Sequence, residues 1–318
     1  MITNNYSVDT NGQGEDILFI VGAGRSGTTL LYKGLCLHPD IAWVSNYLAK
    51  FPGSAFWPLF NRITKLFPSV RKRSWFGSNS NAYFNKRNFL LKMMPTPVEG
   101  ESVFSRCGIP VFPPSDWNIS QQQIRCLEKT FRNIRKAQGA KLFISKRTAN
   151  NRRIPQLIKA FPEAKFLYIV RDGRATATSM LRAPWWQDHE VWWLNGKTPR
   201  QWEQEGGHPL ELAAKNWVEE IKEIETGLRS VPGQQIMQIR YEDLIGNADE
   251  LWPSIEAFTG VPHSEIWLEE VMGLVLTNQN RSWESTLDTE EKEILERVQS
   301  KMLAYFGYHG FSSSEIDP

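Results

Sequence analysis

The chain has 318 residues, and its 37 Lys and Arg nearly balance 35 Asp and Glu, so net charge implies no general affinity for nucleic acid or membrane. That length suffices for one large α/β domain, or two small ones, with a substantial core. Three widely spaced cysteines, Cys36, Cys107 and Cys126, form neither a disulfide framework nor a zinc pattern, and suit a reducing cytoplasm.

The first residues, about 1–14, are polar and read as a flexible terminus without a signal region, and no apolar run is long enough to span a bilayer. Asp16–Val21 is a short apolar run ending at glycine, which predicts a buried parallel strand. Thr28–Leu37 has helical spacing, stopped by His38-Pro39-Asp40, and Ile41–Val44 reads as a second strand. Residues from about 51 to 120 are rich in Pro, Gly, Ser and Asn, with a basic stretch at Phe67–Arg73, and predict an irregular insertion. Gln121–Ala137 reads as an amphipathic helix, Lys141–Ser145 as a strand, Ile154–Phe161 as a helix and Ala164–Val170 as a buried strand. Gly173–Leu181 is helical again. Residues from about 184 to 209 interrupt the pattern with Trp, Pro and Gly, which predicts a loop-rich cap. Leu210–Arg229 (helix), Gln235–Arg240 (strand) and helices at Leu251–Thr259 and Thr289–Phe306 complete the chain. Strands alternating with helices predict an α/β fold, a parallel β-sheet flanked by helices, in one domain over residues 1–318.

Two strand ends carry chemistry. After the first strand, the nucleotide-triphosphatase pattern G-x-x-x-x-G-K-[ST] is met at Gly22, Gly27 and Thr29, but Thr28 stands where lysine belongs. Such a turn aims backbone N–H groups and a helix N-terminus at phosphate. Its one cation is Arg25, three residues before Thr28, and a loop without the lysine that reaches β/γ-phosphates should hold a nucleotide lacking that triphosphate tail. After the later strand comes Val170-Arg171-Asp172-Gly173-Arg174, with Arg171 placed to meet an anion. Helical spacing from Gly173 puts Ala175, Ser179 and Arg182 on one face, so Ser179 can donate to the same anion. Two anion sites, neither built for a triphosphate, predict a nucleotide phosphorylated at two separate places.

These two motifs resemble the cofactor signatures of sulfotransferases that use 3′-phosphoadenosine 5′-phosphosulfate (PAPS), in the branch with protein-tyrosine sulfotransferases and many bacterial enzymes. The likeness also takes in Ser145-Lys146-Arg147-Thr148, Arg153-Ile154-Pro155, Arg240-Tyr241-Glu242-Asp243-Leu244 and Asn280-Arg281-Ser282-Trp283. It implies a P-loop-like parallel sheet with flanking helices, and the clustered tryptophans of the 184–209 cap leave room for an aromatic-lined acceptor site. It implies that Arg25, Ser26, Gly27, Thr28, Thr29 and Leu30 hold the 5′-phosphosulfate, that Arg171 and Ser179 hold the 3′-phosphate, that Tyr241 lies near the adenine or 3′ side, and that Arg281 closes over the 3′-phosphate. The reaction it implies is transfer of the sulfuryl group to a hydroxyl or amine of a small-molecule acceptor, releasing PAP. Arg25 and Lys146 would neutralise the leaving group, with no metal, no nucleic acid and no membrane involved, in the cytoplasm.

The acceptor's proton needs a base. The glutamate of the tyrosine-sulfotransferase branch is absent from Ile41–Tyr47, and the histidine of the cytosolic branch is replaced by Thr148. His38, His263 and His309 read as structural or solvated. His189 and His208, in the Trp-rich insertion, are the leading candidates, followed by Glu101 and Asp116. Two other functions compete with sulfuryl transfer. One is a kinase or NTPase with a degenerate Walker motif, and the other is a non-catalytic PAP(S)-binding protein.

Overall fold

The computed structural model describes residues 16–77, 91, 93–114, 116–274 and 280–308. The terminus at about 1–14, His309 and part of the 51–120 insertion lie outside the described residues. Five strands form one sheet: β1 (Ile17–Val21), β2 (Ile41–Ala42), β3 (Leu142–Lys146), β4 (Lys165–Val170) and β5 (Ile236–Arg240). Their spatial order is β2-β3-β1-β4-β5, with every pairing parallel.

Helix α1 (Thr28–Cys36) joins β1 to β2. Between β2 and β3 run α2 (Asn46–Lys50), α3 (Phe56–Phe60), α4 (Ile63–Leu66), α5 (Pro68–Phe76), α6 (Glu101–Arg106) and α7 (Gln121–Gln138). Next come α8 (Ile154–Ala160), α9 (Gly173–Leu181), α10 (Pro199–Gln204) and α11 (Pro209–Leu228), then α12 (Tyr241–Gly246), α13 (Ala248–Thr259), α14 (Glu265–Met272), α15 (Ser282–Thr286) and α16 (Thr289–Tyr305).

Side-chain alternation explains why both faces of the sheet are covered. Ile17, Phe19 and Val21 of β1 join Phe166, Tyr168 and Val170 of β4 in packing against α7, α8 and α11. Leu18 and Ile20 join Leu167 and Ile169 on the opposite face, against α1, α13 and α14. Local rules set the helix ends: Ser120 and Gln123 form a reciprocal capping box at α7, and Asp172 caps α9 through the Arg174 N–H at 2.8 Å.

The described part of the 51–120 stretch is more helical than its composition suggests, because its short helices are held by tertiary packing rather than by propensity. The second strand is also shorter than expected. Beyond Ala42 the chain leaves β3, and Val44 O accepts instead from the Val98 N–H. Lys146 is the last residue of β3 rather than the first beyond it. The expectation for the cysteines is overturned: Cys107 and Cys126 form a disulfide between the end of α6 and α7. Helix-turn-helix geometry brings together positions that look remote along the chain. Closing a loop of this size contributes about 3 kcal/mol. The cysteines therefore no longer argue for a reducing compartment, and the remaining free thiol, Cys36, is buried. Among the described residues, no helix is long and apolar enough to cross a membrane.

Candidate active site

The chain leaves β1 toward β2 on one side and leaves β4 toward β5 on the other, so a crevice opens between the carboxyl ends of β1 and β4. A cavity of about 790 Å³ lies there. Among its lining residues, Arg25, Lys33, Lys146, Arg147, Arg152, Arg171 and Arg182 face only two carboxylates, Glu99 and Glu220, which makes it a site for a polyanion.

The turn after β1 is shaped by two residues in left-handed backbone conformation, Arg25 (φ 69°) and Gly27 (φ 87°). Arg25 is the unusual one, since a side chain there carries a steric cost that the turn must offset. Its Nε donates to Ser179 Oγ at 3.1 Å, and its carbonyl oxygen accepts from Arg171 Nη1 at 3.0 Å. The two motifs that the sequence separates by nearly half its length are thus bonded to one another. Ser26 Oγ is fully buried and has no partner among the described residues, so the turn holds a hydroxyl that the protein itself leaves unsatisfied.

Arg171 is held from several sides. Its Nε donates to Asn280 Oδ1 at 2.7 Å, and its guanidinium lies 4.2 Å from the centre of the Tyr241 ring. The same ring lies against Gly27, where an added Cβ would come within 2.3 Å of Tyr241 Cδ2. Burial lowers the pKa of Arg171 from the usual arginine value, against the opposing influence of Tyr241 and Glu242. Glu242 accepts from the Asp172 N–H at 3.3 Å and the Tyr308 hydroxyl at 2.8 Å, and it also bonds Asn280. It therefore acts as a structural brace.

Lys146 lines the cavity, and its Nζ lies 2.5 Å from Glu99 Oε1. Glu99 also bonds Arg147 Nη1. Burial pushes the Glu99 carboxyl up, but the charges and hydrogen bonds of Lys146 and Arg147 outweigh this and hold it at about 2. About a third of its side chain (32%) remains exposed. Sequence reasoning missed Glu99. A signal was present, since it is the first carboxylate after Asp40 and sits in Pro97-Val98-Glu99-Gly100-Glu101. Glu101 instead binds Arg153 Nη2 at 2.8 Å and Arg147 Nε at 2.9 Å, a brace behind the site.

Much of the remaining lining is apolar: Phe76, Val111, Phe112, Trp185, Trp186 and Trp192 contribute to it, and Trp185 and Phe112 are exposed. Arg152 is sandwiched there, 5.3 Å from the Phe112 ring centre and 5.1 Å from that of Trp192, and is paired with Glu220 at 3.1 Å. Glu220 also accepts from Asn151 at 2.7 Å, and Asn151 in turn bonds the Gly22 carbonyl at 3.0 Å. This relay fixes the aromatic lining to the end of β1.

Arg25, Gly27, Thr28, Thr29, Leu30, Lys146, Arg171, Ser179 and Tyr241 all line the cavity, as does His189. The His189 pKa is lowered by burial, and by Arg152 and Arg147, so its imidazole is neutral at pH 7. Three expected residues are placed elsewhere. His208 is outside the cavity lining, preceding α11, where its carbonyl accepts from Trp202 Nε1 at 3.1 Å. Arg281 points outward with 88% of its side chain exposed and Glu284 3.8 Å away, while its neighbours Asn280 and Ser282 turn inward. Asp116 is exposed and does not line the cavity.

A family model described as "Sulfotransferase family" matches residues 17–265. The chain is 22% identical over 302 residues to a protein-tyrosine sulfotransferase of Drosophila melanogaster, covering 92% of this chain but 49% of that protein. It is 21% identical over 313 residues to the omega-hydroxy-beta-dihydromenaquinone-9 sulfotransferase Stf3 of Mycobacterium tuberculosis, covering 92% of this chain and 75% of that one. The chain therefore spans about half the length of one of these curated relatives and three quarters of the other. The crystal structure of sulfotransferase STF9 from Mycobacterium avium shares the fold, with a TM-score of 0.57 at 14% identity, over 94% of this chain and 78% of that one.

Proposed function

We propose that this chain, which belongs to the sulfotransferase family, moves the sulfuryl group of PAPS to the hydroxyl of an apolar small-molecule acceptor and releases PAP. The observation that carries this reading is the bonding of two anion-binding strand ends through Arg25, Ser179 and Arg171, in a cavity much of whose remaining lining is apolar. The donor set fits the nucleotide. The turn from Arg25 to Thr29 presents N–H groups, the left-handed Gly27 and the unsatisfied Ser26 hydroxyl to a 5′-phosphosulfate. Arg171 and Ser179 meet the 3′-phosphate, with Tyr241 beside them.

PAPS supplies an activated sulfuryl group with a phosphate leaving group, and the chain's residues manage the charge. Lys146 and Arg25 neutralise the bridging oxygen as negative charge develops there. Glu99 accepts the acceptor's proton once Lys146 turns toward the phosphosulfate. His189, neutral and packed against Trp185, shapes the acceptor wall instead. The aromatic lining suits an alcohol on an apolar body, and the mycobacterial relative is named for such a molecule, an omega-hydroxy-dihydromenaquinone. A kinase reading is disfavoured by Thr28 in the lysine position of the turn.

Equilibrium binding tests the nucleotide. PAP is expected to bind tightly without Mg²⁺, and ATP weakly; ATP binding that is tight and Mg²⁺-dependent would sink the proposal. Transfer of labelled sulfate from PAPS to a panel of apolar alcohols separates an enzyme from a non-catalytic binder. Gly27→Ala tests the cradle. Its Cβ would clash with the Tyr241 ring, and the left-handed backbone adds about 1–2 kcal/mol of strain. PAP affinity measured by calorimetry is expected to fall at least about tenfold, with the fold retained.

A further inference from the structure

The balanced net charge conceals a segment without acid. Between Asp40 and Glu99 there is no Asp or Glu, while nine Lys and Arg stand in that stretch. Its described part includes α2–α5, packed beside the β2 edge of the sheet, and it leaves large apolar side chains in solvent. Leu66 is 73% exposed, Phe56 58%, Phe67 49% and Leu59 48%. Leu66 ends α4 and Pro68 begins α5, so Leu66 and Phe67 form the tip between two helices, and every residue from Lys65 to Val70 is exposed.

Cations flank this tip along the chain. Arg62 precedes it and the exposed Arg73 follows on α5, while the Lys65 ammonium is turned back to the Pro39 carbonyl at 2.6 Å. The acid facing α5 from a neighbouring helix, Glu270 of α14, is engaged with Arg71 at 2.5 Å. An apolar tip flanked by cations in a segment without acid matches an anionic bilayer, where apolar side chains enter the acyl boundary and cations stay among the headgroups. A second copy of the same face would set cations against cations in a two-fold contact, which opposes self-association.

We propose that the α3–α5 face docks on the surface of an anionic lipid bilayer, with Leu66 and Phe67 inserted and Arg62 and Arg73 at headgroup level. In this reading the chain lies on the membrane, and among the described residues no helix is long and apolar enough to cross it. Helix α5 is about 13 Å long and runs from this tip to Phe76, which lines the cavity. Docking thus brings the part of the cavity lined by Phe76 toward the lipid, although the docking itself does not depend on the sulfotransfer reading.

Sedimentation of the full chain with large unilamellar vesicles tests this, using phosphatidylcholine alone or mixed with phosphatidylglycerol. The chain is expected to partition onto the mixed vesicles, to release with added salt, and to ignore pure phosphatidylcholine. The Leu66→Ser/Phe67→Ser variant should lose at least about tenfold in partitioning. Arg62→Gln and Arg73→Gln should each lose about fivefold. PAP affinity and melting midpoint should be unchanged in all of them. No binding to anionic vesicles, or binding that these variants leave intact, overturns the proposal. So does a dimer in light scattering that the Leu66→Ser/Phe67→Ser variant dissociates, which would assign the face to a second copy.

Discussion

Replacing Glu99 with glutamine is expected to lower kcat by about 10²- to 10⁴-fold, with PAP affinity nearly unchanged. The substitution keeps the shape and removes the group that takes the acceptor's proton. At first sight a carboxyl held at about 2 is a poor base. The cause of that value is the answer, because Lys146 and Arg147 hold it down against a burial effect that pushes it up. When Lys146 turns toward bound phosphosulfate, the opposing influence weakens and the Glu99 pKa rises toward the working range. Two pH profiles follow. The profile of kcat/KM, which reports the free enzyme, should show no acid limb from Glu99 at or above the ordinary carboxylate range, since the group stays ionised above about pH 2. The profile of kcat should show one at higher pH. His189→Gln serves as the control: if it abolishes turnover and Glu99→Gln leaves it nearly intact, the imidazole is the base and the assignment fails.

The two anion motifs were legible because each is local. A strand, a turn and a helix N-terminus occupy consecutive residues, so the spacing of Gly22, Gly27 and Thr29, or of Arg171 and Ser179, already carries the geometry. The sheet was legible for the same reason, from short apolar runs separated by helical periodicity. What escaped was what tertiary structure assembles. Glu99 is more than forty residues from Lys146 in sequence, and reaches it because Val98 pairs with Val44 beside the carboxyl end of β2. The same detour brings Cys107 to Cys126. His189 and His208 looked equivalent in one insertion, yet the turn at Trp186–Asp188 directs one to the cavity while the other precedes a long helix. The tryptophans divided in the same way. Trp75, Trp217, Trp252 and Trp267 fill the core, while Trp185 and Trp192 line the site.

Arg25→Ala and Lys146→Ala are each expected to lower kcat by about 10²- to 10³-fold, and their combination should cost less than the product. Both side chains line the same cavity. Lys146 pairs with Ile20 across β3 and β1, two residues before the turn at Gly22 that carries Arg25. Groups acting on one developing charge are not additive, and a fully multiplicative double variant would show that they serve different atoms. The single variants should also differ from each other. Arg25 sits in the anion turn and bonds Ser179, so its loss should weaken PAP binding as well as turnover. Lys146 is held by Glu99 in the free enzyme, so its loss should weaken PAP binding less than the loss of Arg25 does, and it should release the carboxylate from its strongest opposing charge. The Glu99 pKa then rises in the free enzyme, and an acid limb absent from the wild-type kcat/KM profile should appear in that of Lys146→Ala. A Lys146→Ala profile that matches the wild type would separate the two residues and refute the exchange of Lys146 between Glu99 and the leaving group.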